Sequence, residues 1–267
     1  LSAVTGIAID KGLIKSENDK VSRYIWDKTF DGQKNQKITW EHLLNQSSDW
    51  KGSLWGINDW EDRPNPKLNI DSWRSEAQKE PGTHYKYNDV RVNVLAYSLL
   101  NIYRKSLPKV LQQNIMDKIG ASDSWRWYGY ENSWVNIDGY MIQSVSGGGH
   151  NGGGVFINSE DHARFGLLYL NNGLWNGERI ISEEWIKKSI TSSSTNPEYG
   201  YMWWINHEDG EDYASSDWKN VPTNVYYGAG FGGNYIVVIP DENMVVVARW
   251  LGREKIGTFI RMILESL

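Results

Sequence analysis

A tyrosine at a turn, followed at once by residues able to start a helix, is suited to moving protons. This chain carries one in the stretch Pro81-Gly82-Thr83-His84-Tyr85-Lys86-Tyr87-Asn88-Asp89. Pro-Gly marks a turn, and the residues after it read as extended and aromatic. From Asp89 the pattern is helical to about Lys105, with Val90, Val94, Leu95, Leu99 and Ile102 on one face. Asn88 or Asp89 caps that helix and leaves Tyr87 at the bend, where a phenol beside helix-end amides can serve as acid or base.

The remaining chemistry-bearing patterns are weaker. Ser-x-x-Lys occurs at Ser48–Lys51, Ser106–Lys109 and Ser216–Lys219. The chemistry of that pair needs the serine at the start of a buried helix with the lysine one turn on. Ser48 is followed by loop residues, Ser106 has Pro108 inside the motif, and Ser216 runs into Asn220-Val221-Pro222, so all three read as incidental. The glycine run from Gly147 to Gly154 lacks Gly-Lys-[Ser/Thr] and precedes a strand, which favours a tight loop over a phosphate cradle. His150 within it could donate into a cleft or simply serve the loop. The five histidines show no metal spacing and there is no cysteine, so no metal, no cofactor, no disulfide and no thiol chemistry is expected. Gly-x-Ser-x-Gly is absent. Tyr227-Gly228-Ala229-Gly230-Phe231-Gly232-Gly233-Asn234-Tyr235 enters a strand through glycines. An exposed amide there could hold a developing oxyanion, or the stretch could be a glycine bulge.

The elements that must carry these residues are helical first and stranded later. Leu1 to Lys11 reads as helix with Gly12 as its C-terminal stop. No capping residue precedes it and it is too apolar for a free end, which predicts a chain that starts inside a buried helix as a fragment of a longer protein. Residues 13 to 37 read as loop, anchored by Val21, Tyr24 and Ile25. Thr39 caps a helix from Trp40 to Gln46, and residues 49 to 80 form a long excursion containing Trp50, Trp55, Trp60 and Trp73. Pro108 suits the first turn of a helix through Met116. Trp134 to Ile137 is strand-like, Asn158 with Asp161 caps a helix through Leu170, and Ser182 caps another. Tyr201, Trp203 and Ile205 alternate as in a strand. Val225–Tyr227, Tyr235–Ile239 and Met244–Ala248 follow as strands, Pro240 to Asn243 as a turn, and a helix with Ile256, Phe259, Ile260 and Ile263 closes the chain. Helices followed by an antiparallel meander give an α+β fold.

Composition bounds the function. A length of 267 residues allows one large domain or two joined lobes. A net charge of −5 without a basic patch gives no footprint for nucleic acid, and no apolar run is long enough to span a membrane. Fifteen tryptophans and 15 tyrosines against five phenylalanines suit the walls of a cleft as well as a core.

In their order and spacing, several stretches together resemble the penicillin-binding-protein and class C β-lactamase superfamily of serine hydrolases. Gly6-Ile-Ala-Ile-Asp-Lys-Gly-Leu-Ile14 resembles the helix after the family's nucleophile, and Ile38-Thr-Trp-Glu-His-Leu-Leu-Asn-Gln-Ser-Ser48 resembles its hLLxxTSG segment. Tyr87-Asn88-Asp89 stands where members carry Tyr-x-Asn or Tyr-x-Ser, and Ala163-Arg164-Phe165-Gly166 and Asn176-Gly177 match as well. The resemblance implies a β-lactamase/transpeptidase-like α+β domain over 1–267, with 1–12 and 156–267 as an α/β lobe and 13–155 as a helical, irregular lobe. It also implies that the Ser-x-x-Lys segment and the first strands lie upstream of Leu1, so that this chain alone lacks its nucleophile and is inactive. Two departures stand out: Asp89 at the third motif position, and a glycine-rich sheet edge in place of Lys-Thr-Gly or His-x-Gly. The latter is similar to the esterase and 6-aminohexanoate-dimer-hydrolase branch and leaves a β-lactam carboxylate without a cation.

By resemblance, a small-molecule ester or amide is cleaved through an acyl-enzyme. Tyr87 moves the proton, the Phe231 backbone amide holds the oxyanion, and Gly230 and Gly232 border the substrate. Asp89 either positions the catalytic lysine or Tyr87, or only caps the helix. Trp50 and Trp55, with Trp73 and Tyr128 to Trp134, either line the pocket or pack the core. Two other classes stay open: a non-catalytic penicillin-binding-like sensor, and a carbohydrate-binding or carbohydrate-active protein. The missing cysteines and the expected upstream segment lean towards an extracytoplasmic location.

Overall fold

A computed structural model describes residues 1–62, 69–147, 153–210 and 218–267. Within these the chain makes two compact units, Leu1–Gln113 with Arg126–Phe156, and Asn114–Trp125 with Ile157–Leu267.

The first unit is built on helices α1 (Ser2–Asp10), α2 (Trp40–Leu44), α3 (Ile70–Arg74), α4 (Asp89–Tyr103) and α5 (Leu107–Leu111). Short antiparallel pairs accompany them: β1 (Ser53–Leu54) with β2 (Ile57–Asn58), β3 (Arg126–Tyr128) with β6 (Gly154–Phe156), and β4 (Trp134–Ile137) with β5 (Tyr140–Gln143). Helix α4 is the axis. Val90, Val92, Val94, Leu95, Ala96, Leu99 and Leu100 are all buried, so apolar contact surrounds the helix instead of lining one face. Helices α1, α2 and α5 pack on it, and the Tyr103 hydroxyl donates to the Val4 carbonyl at 2.7 Å. Arg104, at φ 52, ends it in the left-handed conformation. Among residues 13–37, Ile14 and Phe30 are buried along with Val21 and Ile25. The helix begun by Leu107 and Pro108 changes at Gln112 into a wider π turn, Gln112–Met116, along which the chain passes into the second unit.

The second unit contains α6 (Ser159–Leu170), the hairpin β7 (Leu174–Trp175) and β8 (Glu178–Arg179), α7 (Glu183–Ser189), a four-stranded antiparallel sheet and α8 (Ile256–Leu264). The sheet strands β9 (Trp204–Ile205), β10 (Tyr226–Gly230), β11 (Asn234–Ile239) and β12 (Met244–Ala248) lie in the order β12-β11-β10-β9. Helix α6 crosses β11 and β12 closely at Gly166, where a Cβ would sit 2.6 Å from the Val245 side chain. On the core side, Trp218 stacks on Tyr227 with ring centroids 4.8 Å apart, among Val225, Val237, Ile256 and Ile260. Residues 114–125 join this unit through Ser122, whose amide and hydroxyl both donate to the buried Asp161 carboxylate.

Only Trp204 and Ile205 of the alternating run at 201–205 are strand. Met202 has φ 64, and its amide donates to the Gly200 carbonyl, so the chain turns there instead of extending. The aromatic residues of the run are used for packing: Trp185 lies against Tyr201, and Tyr169 and Tyr226 lie against Trp203. Among the described residues no helix is long and apolar enough to cross a membrane.

Candidate functional site

Tyr87 is half-buried immediately before α4, and the sequence around it is fixed to the end of α2. Helix α2 starts with a reciprocal cap, Thr39 with His42. The turn at Gly82 lands on that histidine: Gly82 has φ +84, and a Cβ there would lie 2.6 Å from His42 Nε2. The Gly82 amide donates to the Ser47 carbonyl at 2.9 Å. Four residues on, the Lys86 amide donates to the Gln46 carbonyl at 3.0 Å, and the Asn88 amide donates to Gln46 Oε1 at 3.0 Å. Gln46 therefore takes the amides of both residues that flank Tyr87.

Asn88, fully buried, is the helix cap. Its Oδ1 accepts from the Arg91 amide at 3.0 Å, and its Nδ2 donates to the Asp59 carbonyl at 2.8 Å. The Asp89 amide is met by Asp62 Oδ2 at 2.6 Å, a carboxylate at the positive end of the helix. Asp89 is itself buried in the first turn, and the capping half of its expected role belongs to Asn88 and Asp62.

A charged cluster lies beneath this start. Arg91, 1% exposed, reaches Asp49 Oδ1 at 2.6 Å and Asp59 Oδ2 at 3.8 Å, and its Nε donates to the Trp50 carbonyl at 3.2 Å. Lys51 Nζ adds a contact to Asp59 Oδ2 at 3.1 Å, and the Lys79 amide donates to Asp49 Oδ2 at 2.6 Å. Burial pushes the Asp49 carboxyl up, but the Arg91 guanidinium, the Lys79 amide and the Lys51 ammonium outweigh it and hold the group below the ordinary carboxylate range. Gln46, Asp49, Asp59, Asp62 and Arg91 were not singled out by the sequence. The one available signal was Arg91, a charge inside a valine- and leucine-rich helix, which had to find partners.

The aromatic candidates separate. Trp50 is 2% exposed and its indole N–H donates to the Thr29 carbonyl at 2.7 Å, so its ring belongs to the core and not to a pocket wall. Trp55 is half-exposed at φ 52, packed edge-on to Tyr130 with centroids 6.0 Å apart, and its carbonyl accepts from Asn132. His150 lies outside the described residues.

Phe231, in the second unit, occupies the turn between β10 and β11 and is 87% exposed. Gly230 pairs with Asn234 across this turn, and the Phe231 carbonyl accepts from Asn234 Nδ2 at 2.7 Å. Gly232 has φ +76 under the Trp250 ring, where a Cβ would come within 2.6 Å, so only glycine fits. Among the described residues, strand β9 pairs with Tyr226 and Tyr227, and Gly228 to Gly230 run on past its end. Such a stretch lets a ligand approach the backbone. Neither Ser48 nor Ser106 begins a helix in the way a nucleophile would. Ser48 is buried in a loop with Lys51 committed to Asp59, and Ser106 precedes a five-residue helix whose second position is Pro108. Ser216 lies outside the described residues. Among the described residues, no group of three or more His, Asp or Glu is gathered as metal ligands would be.

Comparison with known proteins gives the fold and the family. An uncharacterized protein of Alkalihalophilus pseudofirmus is 22% identical over 254 residues, covering 90% of this chain and 67% of the relative. A protein from Bacillus anthracis assigned as a 6-aminohexanoate-dimer hydrolase superposes with a TM-score of 0.65 at 17% identity, over 99% of this chain and 70% of the other. A penicillin-binding protein from Bacillus halodurans superposes with a TM-score of 0.64 at 17% identity, over 98% and 81%. These likenesses give the β-lactamase/transpeptidase-like fold. The family model described as Beta-lactamase matches residues 2–250, and the chain belongs to the β-lactamase family, whose members are serine hydrolases.

Proposed function

We propose that the protein is a serine hydrolase that cleaves an ester or amide of a small molecule through an acyl-enzyme, with Tyr87 as the acid and base. The observation that carries this reading is the setting of Tyr87: half-buried at the start of the central helix, with both flanking amides bound by one buried residue. A proton-transfer group needs such definition, because its efficiency depends on reach before acidity. In this reading the nucleophilic serine is none of Ser48, Ser106 and Ser216. Its oxygen attacks the carbonyl, Tyr87 takes the hydroxyl proton and returns it to the leaving group, and a water repeats the cycle to release the acid. The backbone amide of Phe231 contributes to the oxyanion site, with Gly230 and Gly232 beside it. The glycine-rich edge and the likeness to the B. anthracis hydrolase support a neutral ester or amide over a β-lactam, whose carboxylate asks for a cation.

The test is labelling of the intact protein with a fluorophosphonate, followed by peptide mapping. A single labelled serine outside the three named positions is expected. A label on Ser48, Ser106 or Ser216 overturns the assignment of the nucleophile, and no label at all favours a non-catalytic binding protein on the same fold.

A further inference from the structure

We infer that Gln46 is the positioning residue for Tyr87, binding the amides of the residues before and after the tyrosine and so setting the place to which the phenolic oxygen is carried. The inference rests on the reading of Tyr87 as the proton-transfer residue and deepens it.

Gln46 follows α2 with φ 58, a left-handed conformation uncommon for glutamine, and it is fully buried. A buried amide is costly unless its polar atoms are paired. Here the pairing is directional. Nε2 donates to the Leu43 carbonyl at 3.4 Å, which leaves Oε1 as the atom turned to the Asn88 amide. The backbone carbonyl of the same residue takes the Lys86 amide. A tie that only closed the loop onto α2 would need one of these bonds, and the Gly82–Ser47 bond supplies such a tie already. The pair at 86 and 88 does more. It anchors the backbone at the residue before Tyr87 and at the residue after it, so the tyrosine is suspended between two points fixed to the side chain and the carbonyl of one residue. Asn88 is fixed in turn by its bonds to Asp59 and Arg91, so the anchor is itself rigid. Small errors in placing a proton-transfer group are expensive in rate, which is the reason to define its backbone so closely.

Kinetics on the intact protein with p-nitrophenyl butyrate test this. Gln46→Met keeps the bulk and removes the acceptor, and is expected to lower kcat by about 10- to 100-fold with KM changed by no more than about twofold. Gln46→Glu retains an acceptor oxygen at the same reach and is expected to restore most of the rate. Adding Gln46→Met to Tyr87→Phe should cost nothing further, because a residue that acts through another has nothing left to position. A folded Gln46→Met protein with wild-type kcat, or losses that multiply in the double variant, overturns the inference. Should Gln46→Met not fold, Gln46→Gly takes its place. It relieves the left-handed backbone and keeps the carbonyl bond to Lys86 while removing the acceptor of the Asn88 amide, so, assayed below its own melting temperature, it should lose rate, and an unchanged rate overturns the inference equally.

If Tyr87→Phe itself keeps wild-type kcat, the reading of Tyr87 has failed, and Gln46 is judged on the ring 13C resonances of Tyr87, assigned by their loss in Tyr87→Phe. Displaced or broadened resonances in Gln46→Met, or in Gln46→Gly if that protein is used, support positioning, and unchanged ones overturn it.

Discussion

Arg91 and Asp49 form a buried ion pair under the start of α4, the helix that follows Tyr87. A guanidinium 1% exposed inside α4 is tolerated because Asp49, Asp59 and the Trp50 carbonyl face it, and those partners come from the long excursion after α2. Replacing Arg91 by leucine leaves the buried Asp49 carboxylate without its ion-pair partner and Asp59 with Lys51 as its cation, and is expected to cost about 3–5 kcal/mol, read from urea unfolding. Asp49 gives the same cluster a pH signature. Its folded pKa lies below the ordinary value of 3.8, so its contribution to stability is complete above that value and is lost as falling pH protonates it in the folded state. The melting temperature should therefore fall as acid is added below about pH 4, and Asp49→Asn should flatten that dependence while lowering the plateau. Tyr87→Phe makes the opposite prediction for stability and activity: a folded protein with kcat down by about 100- to 10,000-fold and KM little changed in ester hydrolysis. Of these residues, Tyr87 was legible because a phenol between a turn and a helix start is a local pattern. Gln46 and Asp49 were not, because their meaning comes from hydrogen bonds spanning about 40 residues, such as Asn88 to Gln46 and Arg91 to Asp49.

Elements were most legible where a short polar side chain begins a helix. Thr39, Asn88, Asn158 and Ser182 each accept the amide three residues on, the bond that their types and positions foretold. Asn88 has the most to lose, since its side chain also donates to the Asp59 carbonyl from a fully buried position. Asn88→Ala is expected to destabilise the protein by about 2 kcal/mol in equilibrium denaturation, at the upper end for a cap, because a buried carbonyl loses its donor as well. Legibility failed where backbone and side chain disagreed. Tyr201, Trp203 and Ile205 alternate as a strand would, but the left-handed Met202 between them turns the chain, and the rings alternate to meet Trp185, Tyr169 and Tyr226. The helix after Pro108 likewise gave way to a π turn at Gln112, a change that apolar periodicity does not announce.

At the scale of the molecule, the succession of helices and then an antiparallel meander was enough for the α+β class, and the order of weak motifs was enough for the family. The grouping of residues 114–125 with 157–267 has no such local trace, because it depends on Ser122 meeting Asp161 across 39 positions. That path also sets a timetable. A chain made from its N-terminus has every residue of the first unit once Phe156 has been added, while Asn114–Trp125, already synthesised, still awaits its partners. The partners start to arrive at once, with Asn158 and Asp161, but the sheet on which α6 rests is complete only with β12. The helix that presents Tyr87 can thus be settled in its own unit while the strand that ends at Gly230 has yet to be made.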